Sequence, residues 1–186
     1  MSKSPTQEEI NQFIIDCHAD LDRVKQKAAQ QPALVNGYNP EVDESALGAA
    51  GHMGRRDIAE FLLDSGAELE LAAAAMLGLR DKVAAWLEED PGLAASGGAH
   101  GIPMAFHAAM SGDTEIMQML WDHGAQDHVR GALIGAVWKN RPQMVSWLLD
   151  HQANTAAVDF RGKTGLEIAR ESGFNEIVSL LSAAQR

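Results

Sequence analysis

The stretch DFRGKTGLEIARESGFNEIVSLL, Asp159 to Leu181, decides the fold. It divides into two halves around Gly173. The first half, LEIARESG from Leu166, carries small and apolar residues, two variable positions and a glycine. The second, beginning at Asn175, places apolar residues three and four apart, which is the period of an amphipathic helix.

Working outward from Gly173, the first half recurs along the chain. LIGAVWKN ends at Asn140, AFHAAMSG at Gly112, LAAAAMLG at Gly78 and ALGAAGHMG at Gly54, with a degenerate copy, FIIDCHA, ending at Ala19. Each of the last five copies is followed by its own amphipathic stretch: DIAEFLLDSGA, DKVAAWLEEDP, TEIMQMLWDHGA, PQMVSWLLDHQA and NEIVSLLSAAQ. Gly66 and Gly124 stand where a helix ends in a left-handed residue. Pro142 stands in a first helical turn, where a missing N–H costs little. The pairs Ala49-Ala50, Ala74-Ala75, Ala108-Ala109 and Gly135-Ala136 keep the first helices thin, so that neighbours in a stack can approach closely.

This pattern resembles the ankyrin repeat, whose signature runs roughly T-P-L-H-x-A-A-x-x-G-H. Thr164, Gly165 and Leu166 occupy the Thr-Pro-Leu slots of the last copy. Ser45-Ala46-Leu47 and Gly131-Ala132-Leu133 replace them elsewhere, and the signature histidine after the leucine is absent. The resemblance implies an all-α solenoid: about six helix-turn-helix units in one domain over 1–186, with repeats near 6–39, 40–67, 68–96, 97–126, 127–156 and 157–186. The first helix is expected to pack Ile10, Phe13 and Ile14 onto the second repeat.

Spacing between the anchors is 35, 24, 34, 28 and 33 residues. The two short gaps fall between Ala67 and Leu69 and between Ala125 and Gly131, where the family forms projecting hairpin fingers. Those two fingers are expected to be cut to tight turns, while ASGGAHGIP (Ala95 to Pro103) reads as a flexible finger or lid. Short strands are expected near 97–102 and 158–164.

The resemblance also implies that the two variable residues before each anchor line the concave face. They form a ladder: Cys17-His18, His52-Met53, Met76-Leu77, Met110-Ser111, Trp138-Lys139 and Glu171-Ser172. Its middle is apolar, and an apolar surface set in a polar one marks a binding site. Met53, Met76, Leu77, Met110, Trp138 and His52 are therefore the expected binding residues. Trp86, Trp121 and Trp147 fall in the apolar slots of second helices and read as core.

The chain carries 15 basic and 26 acidic residues, net −11. That charge repels phosphate, so neither nucleic acid nor an anionic membrane is an expected partner. The start MSKSPTQEEINQF does not read as a secretory signal, and no apolar run is long enough to span a bilayer, which points to a cytoplasmic protein. One cysteine, Cys17, leaves no internal disulfide. HExxH, CxxC, Walker, Rossmann and G-x-S-x-G patterns are missing, so no metal or cofactor is expected. Two functions fit. One is a protein-interaction module gripping another protein in the apolar groove. The alternative is a small-molecule-binding protein, taking a small apolar ligand in that groove, or a cofactor-free acid–base enzyme working through His18, His52 or His107.

Overall fold

The computed structural model describes residues 4–184; positions 1–3 and 185–186, at the two ends of the expected 1–186 span, lie outside the described residues. The chain is an all-helical solenoid of stacked antiparallel helix pairs. The pairs run α1 (Gln7–Cys17) with α2 (Leu21–Gln30), α3 (Ala46–His52) with α4 (Arg56–Asp64), α5 (Leu71–Leu77) with α6 (Arg80–Glu89), α7 (Met104–Ser111) with α8 (Thr114–Asp122), α10 (Leu133–Trp138) with α11 (Pro142–Asp150), and α12 (Gly165–Glu171) with α13 (Asn175–Ala184). The first helix of each pair packs on the first helix of the next, and a second row forms from α2, α4, α6, α8, α11 and α13 behind them. No helix among the described residues is long and apolar enough to cross a membrane.

The anchor residues share a backbone reason. Gly54, Gly78, Gly112 and Gly173 all lie at positive φ, between 59° and 83°, and Asn140 joins them at 51°. A left-handed residue turns the chain sharply enough to start the second helix at once, and asparagine is the side-chain-bearing residue that tolerates it best. Ala19 is not among the positive-φ residues, which is why the first repeat reads as degenerate. At the far ends of the second helices, Gly66 (φ 93°) and Gly124 (φ 92°) close the turn, with Ala67 and Ala125 donating back to Leu62 and Leu120. Gln152 makes the same turn at φ 62°, its neighbour Ala153 donating to Leu148.

Helix starts follow ordinary capping chemistry. Thr6 and Thr164 form capping boxes with Glu9 and Glu167, and the Asp113 carboxylate accepts from the N–H groups of Glu115 and Ile116. The Phe13–Ile14 face of α1 is buried against the second repeat, and Ile10 packs beside it.

The connections differ from the sequence expectation in two places. Between Ala125 and Gly131 the chain forms one short helix, α9 (Gln126–Arg130), rather than a tight turn, with Val129 buried beneath it. A hairpin of β1 (Tyr38–Asn39) and β2 (Glu44–Ser45) projects ahead of α3, where no strand was expected. The expected strands near 97–102 and 158–164 are single bridges, Gly97 to Pro103 and Val158 to Thr164. Trp86, Trp121 and Trp147 are only partly buried: they lie over the core rather than inside it, and Trp147 stacks on His151 with centroids 3.6 Å apart.

Gln152 holds a conformation that costs a residue with a Cβ roughly 1–2 kcal/mol, against roughly 0.5–1 kcal/mol for the extra entropy of an unfolded glycine. Gln152→Gly is therefore expected to stabilise the fold by about 0.5–1 kcal/mol, measured as a higher urea midpoint at unchanged slope. A lower midpoint would mean that the Gln152 side chain makes a contribution larger than its backbone cost.

Candidate functional site

Among the described residues, the site with most chemistry lies where three segments from distant parts of the chain meet on Glu44. His18 is the C-terminal cap of α1, and His52 ends α3 one repeat on, so neighbouring rungs of the ladder place them side by side. Their ring centroids are 5.0 Å apart. Glu44 reaches in from β2. His100 arrives from the fourth repeat's finger, with its ring centroid 5.2 Å from that of His52.

His100 can arrive only because of the irregular spacing. The third repeat has lost its finger between Ala67 and Leu69, leaving the space above α5 free. The long finger at 96–103 folds across that space onto α3 and β2. It passes so close that a Cβ at Gly98 would sit 2.7 Å from the Ala72 methyl and 2.9 Å from His107 Nε2. At its tip His100 holds a left-handed conformation, φ 57° and ψ 18°, uncommon for a residue with a side chain.

One oxygen is the focus. Glu44 Oε1 lies 3.2 Å from His18 Nε2, 3.2 Å from His52 Nδ1 and 3.0 Å from His100 Nε2. The carboxylate is almost fully buried, with 4% of its side chain exposed, while His18 and His100 keep 28% and 39% of theirs in solvent. The other side of the His18 ring is fixed too: Nδ1 faces the carbonyls of Ile14 and Ile15 at 3.0 and 3.3 Å. His52 Nδ1 also faces the Gly48 carbonyl at 3.2 Å.

These contacts set the charges. The hydrogen bond with Glu44 raises the His18 pKa above the ordinary imidazole value. Burial opposes ionisation of Glu44, but the surrounding imidazoles, His18 first, outweigh it and hold its carboxyl below the usual range. Burial lowers His52, with Glu44 opposing. Cys17, beside His18 in sequence, is buried, and desolvation pushes its thiol up, so it is no nucleophile.

His107 stands apart from this focus. It is fully buried on α7, and neither ring nitrogen has a hydrogen-bond partner; the carbonyls of Gly51 and Ile102 approach without reaching bonding geometry. Burial, assisted by His52, lowers its pKa to about 4. Of the three histidines weighed for acid–base work, His18 and His52 meet, and His107 is sealed behind them. Glu44 and His100 were not singled out from sequence. The available signal was a histidine in a glycine-rich finger next to a repeat without one.

The apolar ladder is placed differently from the sequence expectation. Met76, Leu77 and Met110 are buried in the core, and His52 nearly so, while Met53 and Trp138 are half-buried. The stack curls tightly enough that Lys139, from the fifth repeat, reaches Gly54 of the second. A Cβ at Gly54 would lie 2.2 Å from Lys139 Cε and 2.9 Å from Met110 Sδ. That contact closes the middle of the ladder. Two clefts, of about 1000 and 390 Å³, lie elsewhere, one along α1 and α2 and one around Ser45 and Glu70; neither is lined by the histidines or the ladder.

An ankyrin repeat domain from Acinetobacter baumannii AYE, determined by crystallography, is similar over 94% of this chain and 97% of its own, at 23% identity and a TM-score of 0.47. No family model matches the sequence. No curated protein matches it either.

An imidazole buried without partners is an uncompensated polar group. Replacing it with a side chain of similar volume, His107→Leu, is expected to stabilise the protein by roughly 1–3 kcal/mol at pH 7. The pH dependence follows from the depressed pKa. Between the unfolded value of 6.5 and about 4, the unfolded chain binds the His107 proton and the folded chain does not. Parent stability should therefore fall relative to the Leu variant as pH drops through that window. Denaturant midpoints at pH 7, 6, 5 and 4 measure it, and parallel curves would show that His107 is not held neutral.

Proposed function

We propose that this solenoid is a protein-interaction module, and that its contact surface is an aromatic row at the edge of the ladder rather than an apolar groove along its middle. The observation that carries the reading is Phe160. It is 83% exposed at the tip of the last finger, with Val158 beside it 54% exposed. An exposed phenylalanine contributes nothing to a core, and clustered apolar exposure marks contact surfaces.

Phe160 is also held in position. Its ring meets Trp138 edge to face at 5.8 Å, and Trp138 meets Phe106 in the same way at 5.6 Å. A rigid aromatic supported by a second is the kind of anchor that dominates interface energetics. In this reading Trp138 belongs to the contact surface, and Met76, Leu77 and Met110, buried in the core, do not.

Local charge narrows the partner. The protein is acidic overall, yet Lys139 follows Trp138, and burial first, then the charges of Arg55 and Arg141, lower its pKa. A carboxylate from a partner would relieve that repulsion. The partner inferred here is a protein segment presenting apolar side chains flanked by an acidic residue. The acid–base alternative would rest on His18 and His52, since His107 lacks access to a ligand.

Phe160→Ala is expected to weaken partner binding by about 30-fold, equivalent to the roughly 2 kcal/mol of a hot-spot aromatic, with the melting temperature unchanged. A photo-crosslinking phenylalanine analogue at position 160 identifies the partner, and titration with the parent and the Ala variant gives the ratio. Equal affinities would remove the aromatic row from the interface.

A further inference from the structure

We infer that His18, Glu44, His52 and His100 form a binding site for one first-row divalent metal ion of the Zn²⁺ class, which pins the fourth repeat's finger to the first two repeats. No ligand motif in the sequence announces this site, because its residues come from three stretches far apart in the chain, at His18, at Glu44 to His52 and at His100.

The first argument is convergence. One ligand atom from each of the four residues lies within 4.8 Å of all the others. Four ligands placed tetrahedrally at the usual Zn–N and Zn–O distances stand about 3.3–3.6 Å apart. The three nitrogens already lie 3.0–3.2 Å from Glu44 Oε1. Small side-chain adjustments separate this arrangement from a coordination shell.

The second argument is hydrogen-bond capacity. A carboxylate oxygen has two lone pairs, yet three imidazole nitrogens converge on Oε1. His18 sharpens the conflict. Its Nδ1 faces two carbonyls and its Nε2 faces the carboxylate, so both nitrogens point at acceptors. A neutral imidazole has one N–H. If Nδ1 carries it, the Nε2 lone pair faces an anionic oxygen unless a second proton or a metal cation stands between them. Hydrogen bonding of Nδ1 to backbone carbonyls is also the usual way of fixing a metal-bound histidine in the Nε2-ligating tautomer.

The third argument concerns backbone. His100 occupies its left-handed conformation at the tip of a finger flanked by Gly97, Gly98 and Gly101. That conformation turns its ring toward Glu44. Strain of this kind persists where the surroundings enforce it, and ligation would supply the restraint.

Donor chemistry selects the ion. Three imidazoles and one carboxylate suit Zn²⁺, Co²⁺ or Ni²⁺, whereas Mg²⁺ and Ca²⁺ require mostly oxygen ligands. Cys17 is buried and is not among the four residues whose ligand atoms converge.

The test uses tag-free full-length protein stripped with a chelator. Titration with Zn²⁺ in a calorimeter should show one ion per chain, and Co²⁺ should give the visible bands of a tetrahedral nitrogen–oxygen site. At about 100 times the dissociation constant, Zn²⁺ should raise the melting temperature by roughly 5–10 °C. His100→Ala, at a partly exposed residue, should fold and lose affinity by more than the roughly 10–100-fold that removal of an outer-shell partner costs. His123→Ala, an exposed histidine outside the cluster, should bind as the parent does. Mg²⁺ should leave the melting curve unmoved. The inference is overturned if Zn²⁺, Co²⁺ and Ni²⁺ all fail to bind with unit stoichiometry. It is equally overturned if His18→Ala and His100→Ala both bind as tightly as the parent.

Discussion

Gly135 passes so near α7 that a Cβ there would stand 2.7 Å from the Phe106 carbonyl oxygen. That close approach is the constraint on which the rest of the molecule depends. Neither helix of a pair can bury its apolar face alone, so each repeat is stable only against its neighbours. The seam between first helices is built from Ala49, Ala50, Gly51, Ala73, Ala74, Ala75, Ala108, Ala109, Gly135 and Ala136, all buried. Thin side chains on this row and bulkier ones on the second-helix row bring the first helices closer together, and the stack curls toward them. The curl carries Lys139 to Gly54 and closes the ladder over Met110.

Much of the fold was legible in the sequence for this reason. The helical period of Ile58, Phe61 and Leu62, the paired alanines and the recurring left-handed anchor are local signals, and each corresponds to a local structural need. Asn140 and Gln152 show the limit of that logic from both sides. Asparagine could be aligned with the glycines because it tolerates the same backbone, whereas glutamine gives no hint of its positive φ. The hairpin at Tyr38 to Ser45 and the short helix α9 were missed because their stability comes from what they cover, not from their own composition.

The candidate site was legible only in part. His18 and His52 occupy matching rungs one repeat apart, so their proximity follows from the repeat itself. Their meeting with Glu44 and His100 does not, because Glu44 comes from the unexpected hairpin and His100 from a finger that one repeat omits and another extends. Burial of Met76, Leu77 and Met110 was hidden for a related reason. Periodicity assigns residues to faces, but the curvature that decides whether a face is wet is a property of the whole stack. Trp138 stayed half-buried, although Lys139 on the same rung reaches across to Gly54.

A stack of repeats ordinarily behaves as a one-dimensional chain, in which each unit senses only the two beside it and the ends can unravel independently. The finger at 96–103 breaks that arrangement by skipping a unit and resting on the second repeat. Lys139 makes a second such shortcut, from the fifth repeat to the second. The first repeats are thereby clasped by later ones, and opening the N-terminal end requires releasing parts of the chain formed well beyond it. On the ribosome, the early repeats emerge and stack before either clasp has been synthesised. Their final rigidity is acquired late, when the middle of the molecule folds back over its beginning.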